Sequence, residues 1–226
     1  MARSVIVTGG FGVLGQAVAE VFVKAGNKVA RIDYAPEAKD TLPGALDIGG
    51  IDLTDAAATQ AALDKVVAAH GGIDVLVNVA GGFMWETLEG GSLDTFAKMH
   101  AMNLMTNATI TKLALPALKA SPAGRIVNIG AGGAVKAGMG MASYAASKAG
   151  VHKLTEALAE ELAGTSVTVN AVLPSIIDTP TNRADMPDAD FSTWVQPAAI
   201  ADVIGFLASE AARSVSGALI PVSRGA

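Results

Sequence analysis

A tyrosine and a lysine lie four residues apart in the segment Ser143-Tyr144-Ala145-Ala146-Ser147-Lys148. On a helix this spacing places both side chains on one face, one turn from each other. An ammonium held beside a phenol favours the phenolate and lowers the pKa of the tyrosine from about 10. The spacing therefore predicts an acid–base pair in which Lys148 lowers the pKa of Tyr144.

A glycine-rich turn near the start of the chain predicts a nucleotide site. The run Thr8-Gly9-Gly10-Phe11-Gly12-Val13-Leu14-Gly15 follows a strand-like segment and opens a helix-like one. Glycine permits a tight turn and a close approach of the backbone to a pyrophosphate, and the first amides of a helix attract that charge. The alternative is a turn that serves only the packing of helix on sheet.

Asp33 closes the second strand-like segment and bears on the type of cofactor. A carboxylate there can accept hydrogen bonds from the ribose hydroxyls of an adenosine and would repel a 2′-phosphate, which favours NADH. Arg31 lies two residues earlier and can face the same way, so NADPH stays open. Asp33 could also be only a turn residue.

Short apolar runs alternate with helix-like segments along the chain, and this alternation predicts the elements that hold these residues. The predicted strands are Ser4–Thr8, Lys28–Asp33, Ala45–Ile51, Ile73–Asn78, Arg125–Ile129, Val167–Leu173 and Gly217–Val222. The predicted helices are Gly12–Ala25, Asp55–His70 with Asp55 or Thr54 as N-cap, one or two within Ser92–Lys119, and Ala142–Ala163. We therefore expect one α/β domain over residues 1–226, with a doubly wound parallel sheet of seven strands and helices on both faces.

Two further groups of residues follow from this arrangement. Asp52-Leu53 and Asn78–Gly82 come after predicted strands, where open parallel sheets bind their ligands. Residues 174–197 are rich in Pro, Asp and Ser, and a long irregular insertion of this kind is often a lid, so we expect a substrate lid there. Arg183 within it can pair with Asp178 or Asp185, or touch a ligand.

The composition excludes several classes of function. The net charge is −5 and the chain has no basic run, which argues against a nucleic-acid partner. The chain has no cysteine, and its three histidines, His70, His100 and His152, have no partners at metal-ligand spacing, so no metal site is expected. No apolar segment is long enough for a membrane span or a signal peptide, and we expect a cytoplasmic protein that acts on a small molecule.

Taken in order, these residues resemble the short-chain dehydrogenase/reductase family over essentially the whole chain. The resemblance implies a Rossmann-type fold and an NAD(P)-dependent oxidoreductase in which Tyr144 is the acid and base, Lys148 lowers its pKa and binds the nicotinamide ribose, and Asn103 helps to hold a proton-relay water. Asn103 could also be an amide satisfied inside a helix kink. The implied cofactor site consists of Gly9, Phe11, Gly12, Val13, Leu14, Gly15, Asp33, Tyr34, Asp52, Leu53, Ala80, Gly81, Gly82, Tyr144, Lys148, Pro174, Ile177 and Thr179.

The chain departs from the commonest family pattern at two positions. Val13 stands in the usual place of the middle glycine, and Ala131, thirteen residues before Tyr144, stands in the place of a serine that binds the reacting oxygen. The loss of one such donor often costs about 100-fold in rate. Both departures resemble the dihydropteridine reductase branch, as does the lid sequence from Leu173 through Asp178 to Arg183 and from Met186 to Trp194. This resemblance implies hydride transfer from NADH to a quinonoid dihydropterin.

The sequence is also compatible with other functions. The nearest alternative is a reductase of the same family that acts on another quinone, imine or carbonyl compound, and alternatives of other classes are a nucleotide sensor and a scaffold without a ligand. Around the substrate we expect flat apolar walls, although each residue could be plain packing: Phe83, Trp85, Met139 and Trp194.

Two segments are apolar around much of their circumference, which predicts burial on more than one side. These are Ala142–Ala163 and Ala108–Leu118. In the resembled family the two corresponding helices pair with their copies in a dimer, so the resemblance implies a homodimer or a homotetramer.

Overall fold

A single parallel sheet of seven strands organises the chain, of which the computed structural model describes residues 2–225. The strands are β1 Ser4–Thr8, β2 Lys28–Ile32, β3 Ala45–Ile48, β4 Val75–Asn78, β5 Arg125–Ile129, β6 Thr168–Pro174 and β7 Leu219–Val222. Their order is β3-β2-β1-β4-β5-β6-β7, and every neighbouring pair is parallel. The predicted doubly wound sheet is confirmed.

The helices lie between the strands, as the alternation predicted. They are α1 Val13–Lys24, α2 Ala56–His70, α3 Leu93–Met99, α4 Thr106–Ala120, α5 Ala142–Glu161, α6 Pro180–Asp185 and α7 Pro197–Leu207. Asp55, and not Thr54, caps α2, because its carboxylate accepts hydrogen bonds from the backbone N–H groups of Ala57 and Ala58. Within residues 2–225, no helix is long and apolar enough to cross a bilayer.

The central strands β1, β4, β5 and β6 are buried on both faces, so their side chains enter two apolar layers. Ile6, Leu76 and Ile126 point into one layer, which α2, α4 and α5 cover. Val7, Val77 and Val127 point into the other layer, which α1 and α7 cover. The alternation of side chains along each strand explains why neighbouring residues enter opposite layers.

The order of the strands reverses between β1 and β4, and this reversal opens a crevice at their carboxyl ends. Thr8 and Asn78 are the last residues of these two strands and lie side by side in the register. The Thr8 hydroxyl accepts hydrogen bonds of 3.0 Å from the backbone N–H groups of both Val79 and Ala80. The glycine turn and the loop after β4 are thereby held next to each other.

A buried amide network supports the floor of this crevice. The Asn128 side-chain oxygen accepts hydrogen bonds from Asn78 at 2.9 Å and from Asn107 at 3.0 Å, while its amide group donates to Thr155 at 2.9 Å. These four residues belong to β5, β4, α4 and α5. Side-chain hydrogen bonds that join four elements in this way favour one arrangement of those elements over others.

Candidate active site

One cleft of about 1820 Å³ runs along the carboxyl ends of the strands. It is lined by these residues of the expected cofactor site: Gly9, Phe11, Gly12, Val13, Leu14, Gly15, Asp33, Tyr34, Asp52, Leu53, Ala80, Gly81, Gly82, Tyr144, Lys148, Pro174 and Ile177. Thr179 is not among the lining residues. Its hydroxyl instead caps α6 by accepting a hydrogen bond from the Asn182 backbone N–H at 3.1 Å.

The glycine turn forms a close-fitting cradle at one end of the cleft. Gly9 has φ +61°, and a Cβ there would lie 2.9 Å from the Ala80 nitrogen, while a Cβ at Gly15 would overlap the Gly9 carbonyl oxygen. Gly12 caps α1 without a side chain, so the first amides of that helix face the cleft unobstructed. Val13 is 47% exposed at the cleft, so this turn has room for a side chain where a glycine is usual. These residues fit a dinucleotide pyrophosphate.

Asp33 is held rigidly beside this turn. Its carboxylate accepts a hydrogen bond from the Phe11 N–H at 2.9 Å and another from the Ala35 N–H at 3.0 Å. Arg31, which could have offered a cation here, is fully buried and lies outside the cleft lining. Its guanidinium grips the Asp47 carboxylate with two hydrogen bonds, of 2.7 and 2.6 Å.

Tyr144 and Lys148 line the same cleft from one face of α5, as their spacing predicted. The Lys148 ammonium donates a hydrogen bond of 2.8 Å to the Ile129 carbonyl at the end of β5. The Phe83 ring meets the Tyr144 ring edge-on, with centroids 4.9 Å apart. Both catalytic candidates are thus fixed by contacts from other elements.

The expected lowering of the Tyr144 pKa is wrong for these side chains. Burial raises the pKa of Tyr144 to about 12, and burial lowers the pKa of Lys148 to about 8. Removal of both groups from water disfavours the charged form of each, and the lysine gives its hydrogen bond to Ile129. Tyr144 is therefore a protonated phenol at neutral pH.

Asn103 stands behind the cleft in a π-helical turn, His100–Met105, that separates α3 from α4. Its side-chain oxygen accepts from the Gly82 N–H at 2.9 Å, and its amide donates to the Gly82 carbonyl at 3.1 Å and to the Ser147 hydroxyl at 3.0 Å. A Cβ at Gly81 would lie 2.5 Å from the Asn103 side-chain oxygen and 3.4 Å from the Lys148 nitrogen. Asn103 therefore ties the loop after β4 to α5.

Ala131 lies in the cleft wall and is 4% exposed. Its backbone N–H donates to the imidazole of His152 at 3.2 Å, and burial together with the nearby Lys148 charge lowers the pKa of that histidine. A neutral imidazole is what such an acceptor requires. The cleft is thus lined at position 131 by a methyl group, which cannot donate a hydrogen bond.

Three of the four side chains that were expected to contact the substrate line the cleft. Phe83, Trp85 and Met139 are 53, 57 and 79% exposed, and the Trp85 indole covers Gly140, where a Cβ would overlap the ring. The expectation for Trp194 is not met, because that side chain is 3% exposed and packs against the Phe191 ring at 4.7 Å. Its neighbour Val195 is hydrogen-bonded to the backbone of Ile176 and Asp178, which turns the tryptophan inward.

The sequence predictions missed several cleft residues, chiefly Lys98, Met102, Met141 and Met186. Met102 precedes Asn103, and Met141 lies two residues after Met139, so proximity to predicted site residues could have indicated both. Methionine adapts its shape to irregular ligands. No motif distinguishes Lys98 or Met186.

The histidines and the acidic residues do not assemble around a metal. No group of three or more such side chains within residues 2–225 could hold one. His70 is paired with the Ser4 hydroxyl at 3.1 Å, and His152 with the Ala131 amide.

Comparisons with known proteins agree with this geometry. The family model described as short chain dehydrogenase matches residues 3–190. The chain is 31% identical to the 3-oxoacyl-[acyl-carrier-protein] reductase FabG of Thermotoga maritima over 97% of this chain and 96% of that protein. It is 32% identical to an acetoacetyl-CoA reductase of Acinetobacter, again over 97% and 96%.

A solved structure is similar over nearly the same length. This is a 3-ketoacyl-(acyl-carrier-protein) reductase of Brucella melitensis complexed with NADH, with 25% identity, a TM-score of 0.89, and coverage of 97% of this chain and 96% of that one. The family match and the relatives together show that the chain belongs to the short-chain dehydrogenase/reductase family.

Proposed function

We propose that this protein is an NADH-dependent reductase of an activated carbonyl compound, with Tyr144 as the proton donor. The observation that carries the proposal is that Tyr144 and Lys148 share one cleft with the glycine cradle and Asp33. The two relatives are named as reductases of 3-oxoacyl and acetoacetyl groups, which supports a carbonyl substrate over the pterin that the lid sequence suggested.

Different residues of the cleft would have different roles in such a reduction. Bound NADH would supply the hydride. The Tyr144 phenol, whose pKa is raised to about 12, gives its proton to the substrate oxygen and becomes a phenolate. The Lys148 ammonium lies one helical turn away and stabilises that phenolate, while Asn103 holds Gly82 in place.

The preference for NADH rests on Asp33. Its carboxylate is fixed at the adenosine end of the cleft, where it can accept hydrogen bonds from ribose hydroxyls and repel a 2′-phosphate. The nearby Arg31 is engaged by Asp47 and does not line the cleft.

Reduction of a quinonoid dihydropterin is the second candidate, and Ala131 favours it. A methyl group at this position gives no hydrogen bond to a reacting oxygen. An electron-poor quinonoid ring accepts hydride readily and needs no such donor, whereas an ordinary ketone gains from it.

Initial rates of NADH oxidation test the proposal. The acceptors are acetoacetyl-CoA, a small quinone, a cyclic imine and freshly generated quinonoid dihydropterin, each with the native protein and with Tyr144→Phe. We expect turnover of acetoacetyl-CoA that Tyr144→Phe lowers by about 100-fold or more. Tyr34→Phe, the change at the other tyrosine, is expected to keep most of kcat. An unchanged rate in Tyr144→Phe would exclude Tyr144 as the donor.

Ala131→Ser separates the two candidate substrates. A hydroxyl at this place would bind the oxygen of a carbonyl substrate, so we expect kcat/KM for acetoacetyl-CoA to rise by about tenfold, with little change for the pterin. Fast native turnover of the pterin alone, unaffected by the serine, would establish the second candidate and contradict the first.

A further inference from the structure

We infer that Asp47 helps to set the choice between NADH and NADPH, although it does not line the cleft, because it holds Arg31 away from the adenosine end. This inference deepens the NADH preference proposed above and rests on it. In this inference the ion pair between Arg31 and Asp47 acts together with Asp33 to favour NADH over NADPH.

The hold on Arg31 is tight. Two of its guanidinium nitrogens donate to the two oxygens of Asp47, at 2.7 and 2.6 Å, and one of these also donates to the Asp40 carbonyl at 3.2 Å. The remaining terminal nitrogen donates to the Gln16 side chain. The Phe11 ring covers the guanidinium with its centroid 5.2 Å from Cζ. Arg31 itself is fully buried.

The sheet places this arginine next to the phosphate-excluding carboxylate. Arg31 lies in β2 and Asp33 directly follows that strand, so two extended residues place their side chains on the same face within about 7 Å of each other. Arg31 and Asp47 are direct partners in the parallel register of β2 and β3. The guanidinium is therefore drawn sideways along the sheet, when it could otherwise extend towards Asp33 and the cleft.

The charges of the three residues explain the expected effect. An arginine binds a phosphate with two parallel hydrogen bonds, so a free Arg31 would favour the 2′-phosphate of NADPH. Asp47 satisfies that same pair of donors, while Asp33 adds a repulsive charge. Removal of Asp33 alone leaves the arginine engaged, and removal of Asp47 alone leaves the repulsion. The two changes together are expected to do more than the product of their separate effects.

Equilibrium binding of NADH and NADPH tests this coupling without any substrate. We would titrate the native protein, Asp33→Asn, Asp47→Ala and the double variant, and compare the ratio of the two dissociation constants. We expect Asp33→Asn to shift the ratio towards NADPH by about tenfold, Asp47→Ala by less than about threefold, and the double variant by about 100-fold or more.

A third change identifies the group responsible. Arg31→Met in the double variant is expected to abolish the extra gain, whereas Lys24→Met in the same background is expected to keep it. Lys24 is the control because it is an exposed cationic residue that does not line the cleft. Asp47→Asn, which preserves shape and removes only charge, replaces Asp47→Ala if thermal melting shows that the alanine variant is unfolded.

Additive effects of the two changes, or a gain that survives Arg31→Met, would overturn the inference. Its failure is distinct from that of the proposed function. A native protein that prefers NADPH would contradict the proposed NADH preference, while the coupling between positions 33 and 47 would still measure the hold on Arg31. Absence of turnover with every acceptor would leave the binding comparison intact.

Discussion

Lys148 and Tyr144 show how burial shifts the pKa values of the proposed catalytic pair. Burial lowers the pKa of the lysine to about 8 and raises that of the tyrosine to about 12. The phenol therefore stays protonated at neutral pH. The lysine can release its proton near pH 8. Burial of these groups makes the free energy of unfolding depend on pH, and stability measurements can detect that dependence.

Lys148→Met is expected to remove a rise of stability with pH. The folded pKa of Lys148 lies near 8 and its unfolded value near 10.5, so between these values the unfolded chain binds more protons and the free energy of unfolding increases with pH. From pH 8 to pH 10 the increase is roughly 2 kcal/mol. Above pH 10 the raised pKa of Tyr144 acts in the opposite direction.

Urea unfolding at pH 7.5, 8.5, 9.5 and 10 measures this slope. The control is Lys153→Met, since Lys153 lies on the same helix with a side chain that is 78% exposed. It is expected to retain the native slope. Equal slopes in Lys148→Met and in the native protein would show that burial of Lys148 does not govern the rise.

Short elements and side-chain hydrogen bonds hold the segment after β6, the proposed lid, against the cleft. The two ends of this segment are joined where Val195 pairs with Ile177. Between them Asn182 on α6 and Met186, which directly follows α6, line the cleft wall. Asp178 ties the segment further, because it accepts two hydrogen bonds from Arg183, of 2.6 and 2.8 Å, and one from Gln196 at 2.7 Å. The expected choice between Asp178 and Asp185 as the partner of Arg183 thus falls on Asp178.

Asp178→Asn is expected to loosen this proposed lid. The hydrogen bonds from Arg183 and Gln196 lower the pKa of Asp178 to about 2, so the pair persists at any ordinary assay pH. Without it we expect trypsin to cleave after Arg183 about five- to tenfold faster in the folded protein, because the local opening is less costly. Asp188→Asn, which removes an exposed carboxylate of the same segment, is the control. Equal cleavage rates in both variants would contradict the role of Asp178.

At the level of elements, the sequence predicted what depends on local pattern. Apolar runs such as Val5-Ile6-Val7 and the capping residue Asp55 indicated strands and helix starts, and the structure confirms them. The sequence left open a helix kink at Asn103, and the structure has a π-helical turn there. The partners of the Asn103 side chain, Gly82 and Ser147, are remote in sequence and could not be predicted from local pattern.

The same limit applies to the site. The cleft collects the glycine cradle, Asp33 and the Tyr144/Lys148 pair because all follow from motif and strand order. The raised pKa of Tyr144 and the inward turn of Trp194 depend on which side chains exclude water from them, and spacing along a sequence does not encode that.

For the whole molecule, the pairing of two copies remains a prediction. On α4, Leu113 and Leu115 are only partly buried, and on α5 the small side chains of Ala146 and Ala157 are exposed. Small residues allow two helices to approach closely, so we propose that α4 and α5 meet their copies in a second chain. A tetramer would need one more interface of this kind.

Ala157→Arg is expected to separate these copies. A large charged side chain on α5 would meet its own copy or a neighbouring helix and prevent close packing. Light scattering during gel filtration should give at least twice the 22.7 kDa of one chain for the native protein and a lower mass for the variant. Ala163→Arg, an exposed change beyond the end of α5, should not alter the mass. A native mass of one chain at every concentration would show that the pairing is wrong.

The contact between Trp85 and Gly140 offers a way to redesign substrate scope. Since the indole covers a glycine with φ +75°, any side chain at position 140 must displace that ring. Helix α5, which carries the proposed proton donor Tyr144, begins at Ala142, so such a change would reshape the cleft near Trp85 without replacing Tyr144 or Lys148. In a library of variants, or over evolutionary time, position 140 would control which substrates enter while the chemistry on α5 is inherited intact.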